Sequence, residues 1–214
     1  MKAGGRRIAK ASEQVDADAT LEAEPAHPWV GRGALKLDHA LALWPVTVEG
    51  RAVLDVGAST GGFTEVCLAR DARRVVAVDV GRGQLHPRLA ADPRVNNLEA
   101  IDARDLTAEM LGEPPQLIVC DASFIGLSKV LSAVLSLAAP GADLIALVKP
   151  QFEAGPADVG KGGLVRDEAV HARVLAHVSA WLEQVGWSVQ ASADSPIEGG
   201  EGQREYLLWA RRRA

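Results

Sequence analysis

The sequence predicts an α/β protein with a mostly parallel sheet that carries helices on both faces. Short apolar runs of strand length, such as 52–56 and 117–120, alternate with helix-length segments from residue 34 onward. Connections of this kind build parallel sheets through right-handed crossovers. The last two apolar segments, 187–195 and 204–212, have too few residues between them for a helix. They should therefore pair antiparallel as a hairpin at one end of the sheet.

Each element follows from its local pattern. Apolar residues at helical spacing predict a first helix from Ala34 to Leu43, and apolar runs of strand length predict the strands. The predicted strands are 52–56, 74–80, 95–102, 115–121, 142–150, 187–195 and 204–212. The further predicted helices are 63–70, 84–91, an amphipathic 126–139, and 167–185. Before residue 28 we expect two short strands, in RIAK and ATLEAE, which are too small to build a core.

Composition bounds the class of protein. The hydrophobic fraction of 48% and the charged fraction of 24% fit an ordinary globular domain with a small appendage. No apolar run reaches the length of a membrane-spanning helix, and the basic N-terminus lacks the apolar core of a signal peptide. We therefore expect a cytoplasmic protein with no membrane partner.

Metal and disulfide chemistry are not indicated. Two cysteines, Cys67 and Cys120, are too few for a disulfide framework or a zinc site, and both lie in apolar stretches. His171 and His177 are six residues apart, which is not the spacing of a metal-binding pair on a helix. We expect buried thiols, structural or solvent-facing histidines, and no metal.

The net charge argues, but only weakly, against a nucleic-acid partner. The formal charge is −5, whereas proteins that bind polyanions usually present a basic surface. Local basic clusters lie at both ends, in GGRRIAK and RRRA. A basic patch around one site therefore stays open.

A glycine loop, LDVGASTGGFT, follows the first strand of the main sheet. It is neither a Walker loop nor a full G-x-G-x-x-G fingerprint, so a pyrophosphate is not the first expectation. Asp79 ends the second strand, 22 residues after Gly57, where it can accept hydrogen bonds from ribose hydroxyls. Asp102, near the end of the third strand, could meet an adenine amino group.

This set fits an adenosine without a phosphate tail, as in S-adenosylmethionine; the alternative is a tight turn with no ligand. The predicted cofactor-binding residues are Asp55, Gly57, Ala58, Ser59, Thr60, Gly61, Gly62, Phe63, Asp79, Val80, Asp102 and Asp121.

Charged groups stand at the ends of the next two strands. Asp121 follows the fourth strand and Lys149 follows the fifth, so both should face the ligand crevice. Lysine occurs at six positions against 17 for arginine. Where arginine is the common cation, a lysine at such a place suggests a property that arginine lacks, the ability to act as a neutral base.

Seven segments resemble the TlyA family of RNA ribose methyltransferases, which was first named for hemolysin activity and has an FtsJ-type catalytic domain. The segments are RGALKL, LDVGASTGGFT, VDVGRGQL, CDASFIGL, LVKPQFEAG, VGKGGLVRD and SPIEGGEGQREYLL, and the match covers about residues 27–210. The resemblance implies a Rossmann-like S-adenosylmethionine-dependent methyltransferase fold with a seven-stranded sheet. It also implies a Lys-Asp-Lys-Glu tetrad at Lys36, Asp121, Lys149 and Glu205. In that family's mechanism Lys149 would take or orient the proton of a ribose 2′-hydroxyl, with rRNA or a ribosomal subunit as partner and cytidine as the nucleotide.

The resemblance also divides the chain. We expect residues 1–28 to be the last, strand-bearing part of the family's N-terminal RNA-binding domain with its linker, and residues 29–214 to be the FtsJ-like methyltransferase domain. The polar, glycine-rich segment 151–167 is long for a loop in a compact domain. We interpret it as an RNA-facing lid, the alternative being a disordered surface excursion. The predicted RNA contacts are Arg32, Lys161 and Arg166.

Three functions are therefore compared. The first is an S-adenosylmethionine-dependent rRNA 2′-O-methyltransferase. The second is a non-catalytic RNA- or ribosome-binding protein that keeps the fold. The third is a membrane-lytic hemolysin, for which the sequence offers neither a basic amphipathic helix nor an apolar span. Liposome leakage distinguishes the third from the first two, which predict none.

Overall fold

A computed structural model describes residues 2–3, 6–7, 14–16, 18–22, 27–199 and 202–213. The strands in these residues are β1 (Lys2–Ala3), β2 (Arg6–Arg7), β3 (Leu21–Glu22), β4 (Ala52–Val56), β5 (Arg74–Asp79), β6 (Val95–Glu99), β7 (Leu117–Cys120), β8 (Asp143–Val148), β9 (Trp187–Asp194) and β10 (Tyr206–Arg212). The helices are α1 (Ala34–Leu43), α2 (Gly62–Ala69), α3 (Pro87–Ala90), α4 (Ala108–Leu111), α5 (Leu127–Val130), α6 (Val134–Leu137), α7 (Pro150–Glu153) and α8 (Glu168–Gln184). Single 3₁₀ turns lie at Ala103–Asp105 and Pro156–Asp158.

The main sheet has seven strands in the order β6-β5-β4-β7-β8-β10-β9. The five strands from β6 to β8 pair in parallel, and β10 runs antiparallel to both of its neighbours, β8 and β9. The predicted fold class and the predicted terminal hairpin are confirmed. Every residue of β4, β7 and β8 is buried, as expected for strands that are covered on both faces.

The core lies on the two faces of this sheet. Alternate residues of one strand point to opposite faces. Leu54, Ile118 and Leu144 therefore pack with the buried side chains of α5, α6 and α8. Their neighbours Val53 and Ile145 pack with α1 and α2 on the other face. The site depends on this layering because it fixes the carboxyl ends of β4, β5, β7 and β8 along one edge.

The predicted helix 126–139 is wrong as a single element, because residues 131–133 separate α5 from α6. The hydroxyl of Ser132 donates to the carbonyl of Lys129 at 3.3 Å, and that of Ser136 donates to the carbonyl of Ala133 at 2.7 Å. Serine hydroxyls that bond nearby carbonyls in this way compete with the helical backbone pattern. The apolar periodicity on which the prediction rested continues through the break.

Other predicted boundaries also differ. Strand β6 ends at Glu99, earlier than predicted, because Ala100 adopts a φ of +58°. Strand β8 ends at Val148, and Pro150 begins α7, where its missing N–H costs nothing. The predicted helix 84–91 is confined to α3, which begins after His86.

Near the N-terminus β1 pairs antiparallel with β2 and with β3. Two strands were predicted there. The described parts of RIAK and ATLEAE contribute β2 and β3, β1 was not predicted, and the remaining residues of both stretches lie outside the described ranges. Among the residues that the structure describes, no helix is long and apolar enough to cross a bilayer.

Candidate active site

The glycine loop lies across the carboxyl ends of β5 and β7. Gly57 has a φ of +78°, and a Cβ at this position would lie 3.0 Å from the backbone N and Cα of Ala122. The N–H groups of Gly57 and Ala58 donate to the carbonyl of Val78 at 2.9 and 3.1 Å. Glycine is needed here both for the left-handed backbone and for the close approach of two strand ends.

Two cavities open along this edge of the sheet. The first has a volume of about 310 Å³ and lies between the start of α1, the glycine loop and the segment 197–199. The second has a volume of about 360 Å³ and lies between the ends of β5, β6 and β7. Gly57, Ser59, Asp121 and Ser123 line both. The cavities therefore adjoin at the end of β7.

Carboxylates are the main polar groups of the second cavity. Asp79 accepts the N–H of Ser59 at 2.8 Å and that of Gly81 at 2.7 Å, one on each oxygen, so each oxygen keeps a free lone pair. Arg104 Nη2 lies 2.6 Å from Asp102 Oδ2. The hydrogen bonds that the side chain and backbone of Arg104 donate hold the pKa of Asp102 below its usual value. Both carboxylates are thus acceptors, matched to the hydroxyl and amino donors that the sequence predicted there.

The walls of the second cavity are apolar. They include Val80, Ile101 and Phe124, and Phe124 is 89% exposed. Phe124 also adopts a φ of +66°, which is strained for a bulky residue, and its ring lies 5.3 Å from that of Phe152. The sequence reasoning missed Phe124. The only signal was its position three residues after Asp121.

The four predicted catalytic residues come together in the first cavity. Lys149 Nζ lies 2.6 Å from Asp121 Oδ1, and Lys36 Nζ lies 3.4 Å from Asp121 Oδ2 and 2.6 Å from Glu205 Oε2. Lys149 also donates to the carbonyl of Asp121 at 3.2 Å and to the hydroxyl of Ser123 at 2.8 Å. Ser123 was not predicted, because a serine in a loop carries no sequence signal of its own.

Three members of the tetrad are buried, Asp121 is partly buried, and the charges of the four groups balance when both lysines are protonated. The four side chains are at most 18% exposed, and two ammonium groups face two carboxylates. Each ion therefore has a partner, which buried charges require. Lys36 comes from α1, Asp121 and Lys149 from the ends of β7 and β8, and Glu205 from the start of β10. Asp121 bridges the two lysines and holds both amines at the wall that the cavities share.

Two predicted cofactor residues lie away from both cavities. Asp55 is fully buried beneath the glycine loop, where its Oδ2 accepts the hydroxyl of Thr64 at 2.7 Å. Burial raises the pKa of Asp55 to about 7. Gly61 faces the side chains of Leu85 and Leu89. Neither residue lines the two cavities, and both support the glycine loop from beneath, so a contact of either with a cofactor stays a prediction.

The other predicted cofactor residues line one cavity or both. Asp79, Val80 and Asp102 line the second cavity. Ala58, Thr60, Gly62 and Phe63 line the first, on the side of the tetrad.

Of the three predicted RNA contacts, Arg32 alone lies at the first cavity. Arg32 lines it and donates to the carbonyl of Glu198 at 3.0 Å. Lys161 and Arg166 are exposed in the segment 159–167, and Arg166 lines a separate cavity of about 340 Å³. Within the described part of the chain, none of the three lies within ion-pair distance of a carboxylate. No group of three or more His, Cys, Asp or Glu side chains able to hold a metal occurs among those residues either.

Comparison with known proteins agrees with this geometry. The family model described as FtsJ-like methyltransferase matches residues 29–212. The chain belongs to the FtsJ-like methyltransferase family. The 16S/23S rRNA (cytidine-2′-O)-methyltransferase TlyA of Mycobacterium tuberculosis is 47% identical over 90% of this chain and 72% of its own length.

Solved structures support the same assignment. A hemolysin-like protein from Streptococcus thermophilus superposes on this methyltransferase with a TM-score of 0.87 and 39% identity, over 98% of this chain and 76% of the other. An S-adenosylmethionine-dependent methyltransferase from Listeria monocytogenes, at 15% identity, shares the fold with a TM-score of 0.64 over 86% of this chain and all of its own. The predicted Rossmann-like methyltransferase fold is confirmed.

Proposed function

We propose that this methyltransferase transfers a methyl group from S-adenosylmethionine to a ribose 2′-hydroxyl of ribosomal RNA, with cytidine as the nucleotide. The observation that carries the proposal is the junction of two cavities at a buried Lys-Asp-Lys-Glu tetrad. One cavity suits an adenosine, and the other places two lysine amines where a second substrate can enter. The name of the Mycobacterium tuberculosis relative supports the choice of rRNA and cytidine.

The second cavity fits the cofactor by the chemistry of its groups. Asp79 would accept the ribose hydroxyls and Asp102 the adenine amino group, while Val80 and Phe124 would cover the faces of the base. When bound, S-adenosylmethionine supplies a methyl group on a positively charged sulfur. Gly57 and Ser59 line both cavities, so the backbone of the glycine loop would hold the cofactor beside the tetrad.

The tetrad would handle the proton of the hydroxyl. Lys149, in its neutral form, would take this proton onto Nζ as the hydroxyl oxygen bonds to the methyl carbon and the carbon–sulfur bond breaks, which would leave a neutral thioether. Asp121 and Ser123 fix the direction of that amine, and Lys36 is held between Asp121 and Glu205 as a second donor toward the nucleotide. Once Lys149 has taken the proton, two ammonium groups face two carboxylates, so each charge of the tetrad has a partner.

Three exposed cationic side chains favour RNA as the second substrate. Arg32, Lys161 and Arg166 offer cations without a carboxylate partner among the described residues, as phosphate contacts require. We further propose residues 29–214 as the catalytic domain, residues 1–28 as part of an RNA-binding domain with its linker, and the cytoplasm as the site of action.

The experiment is methyl transfer from tritiated S-adenosylmethionine to ribosomal subunits and naked rRNA that lack the modification. A 2′-O-methyl group blocks alkaline cleavage at its own phosphodiester, so the expected result is one labelled dinucleotide after hydrolysis. Label on a mononucleotide would mean base methylation and would overturn the assignment to ribose. Absence of label, with intact cofactor and RNA binding, would favour the non-catalytic binding protein.

A further inference from the structure

A buried polar cluster joins the segment 159–167 to the strand that carries Glu205. Its side chains are those of His171, Gln203 and Tyr206, and each residue is at most 5% exposed. Gln203 and His171 bond to the backbone of Val165, which is itself 4% exposed, and Tyr206 bonds to His171. Burying a histidine and a glutamine is costly unless their hydrogen bonds are made, so the arrangement of these bonds is informative.

The hydrogen bonds hold Val165 at both of its backbone groups. The N–H of Val165 donates to Gln203 Oε1 at 2.9 Å, and the carbonyl of Val165 accepts from His171 Nε2 at 2.9 Å. Since a carbonyl only accepts, His171 Nε2 carries the hydrogen. In the neutral ring Nδ1 then accepts the hydroxyl of Tyr206 at 2.7 Å.

One side of this cluster carries a cationic turn. The N–H of Gly160 donates to the carbonyl of Leu164 at 2.9 Å, and Gly162 and Gly163 adopt φ values of +81° and +76°. Lys161 lies at the tip of this turn, and Val165 follows it directly. Fixing Val165 therefore fixes the base of the turn that presents Lys161.

The other side of the cluster leads to the tetrad. Glu205 stands between Gln203 and Tyr206 in sequence, and its carboxylate pairs with Lys36. The carbonyl of Gln203 accepts the N–H of Gly199 at 2.8 Å, which holds the segment 197–199 that lines the first cavity. No room remains for a Cβ at Gly199, because the carboxylate of Glu205 occupies that place. Gln203 is thus bonded both to the base of the Lys161 turn and to the segment 197–199, and it lies two residues before Glu205.

We propose that Gln203 and His171, with the Tyr206 hydroxyl, are positioning residues that fasten the Lys161 turn to the strand of Glu205. The inference rests on the proposed function in that the turn contacts RNA. Its consequence is that RNA engagement at the turn and the alignment of Glu205 on Lys36 depend on each other. Losing the cluster should therefore impair the RNA step while leaving the cofactor step unchanged.

The test compares Gln203→Met with Gln190→Met, an exposed glutamine on β9. Losing the acceptor of a buried N–H corresponds to about a tenfold change in local opening. In Gln203→Met we expect amide exchange in 159–167 and trypsin cleavage after Lys161 to rise by about that factor. We expect kcat/KM for RNA to fall by about tenfold, mainly through KM, and the KM for the cofactor to stay within about twofold.

A second variant keeps the test decisive if Gln203→Met does not fold. Tyr206→Phe removes only the hydroxyl that donates to His171 Nδ1, and it should produce the same pattern with smaller changes. In His171→Gln, which keeps a donor for the Val165 carbonyl, the RNA KM should lie closer to wild type than in His171→Ala. Unchanged exchange in 159–167, or faster exchange there with an unchanged RNA KM, would overturn the proposal. Exchange does not require methyl transfer, so an inactive wild-type enzyme would count against the proposed function alone.

Discussion

The two cavities that meet at Asp121 are built in different ways. Around the second cavity the bonds are local: Asp79 holds Ser59 and Gly81, which lie 20 and 2 residues away in sequence. Around the first cavity the bonds join residues that are far apart in sequence: Lys36 pairs with Asp121 and Glu205, which lie 85 and 169 residues away. The strand–helix–strand unit β4–α2–β5 can therefore fix the glycine loop and Asp79 by itself, while most of the rest of the second cavity comes from residues 101–103 and 121–130. The tetrad exists only when the whole sheet, including β10, is assembled.

The largest effect is expected from removing the amine at the shared wall. Lys149→Ala should reduce methyl transfer by about 10²–10⁴-fold, the usual range for a general base. The affinity for S-adenosylmethionine should change by less than about threefold, since Asp79 and Asp102, which would bind its adenosine, lie in the other cavity. Single-turnover transfer and calorimetric titration measure the two quantities. Lys129→Ala, at an exposed lysine on α5, is the matched control. Near-normal transfer by Lys149→Ala would remove the base assignment.

Breaking the ion pair between Lys36 and Glu205 should lower stability as well as activity. Glu205→Ala leaves the Lys36 ammonium buried without its 2.6 Å partner, and we expect the free energy of unfolding to fall by about 3 kcal/mol. The double variant Lys36→Met with Glu205→Leu removes both charges, so it should recover most of that stability and stay inactive. Urea denaturation measures the difference. If the double variant is no more stable than Glu205→Ala, the loss comes from packing rather than from the unpaired charge.

Removing the charge of Asp79 in the second cavity should affect only the binding of S-adenosylmethionine. Asp79→Asn weakens the acceptors offered to the ribose hydroxyls, and hydrogen bonds to a charged group contribute about 1.5–3 kcal/mol. We expect the Kd for S-adenosylmethionine to rise by about 10- to 100-fold, with unchanged RNA affinity. Asp71→Asn, at an exposed aspartate before β5, is the control. Equal cofactor affinity in the two variants would place the ribose elsewhere.

The same contrast explains what the sequence could and could not predict. Gly57 and Asp79 were found from local pattern, because a loop after one strand and an acid after the next belong to a single folding unit. Lys36 and Glu205 were assigned by family resemblance, since no spacing rule joins residues 169 positions apart. Gln203 was missed for the same reason: its partner Val165 lies 38 residues away. The break between α5 and α6 was missed because serine–carbonyl bonds leave the apolar pattern intact.

The last effect, which is the smallest per pH unit, concerns Asp55 beneath the glycine loop. Burial raises its pKa in the folded protein to about 7, from an ordinary value of 3.8. Between these two values the folded state binds a proton that the unfolded state has released, so stability falls as pH rises from about 4 to about 7 and then levels off.

Asp55→Asn removes this titration. The unfolding free energy of wild type minus that of Asp55→Asn should therefore fall by up to about 1.4 kcal/mol per pH unit in that window. Denaturation at pH 5, 6, 7 and 8 measures it. A difference that does not change with pH would mean that the carboxyl group is ionised throughout, and that the loop rests on a buried charge.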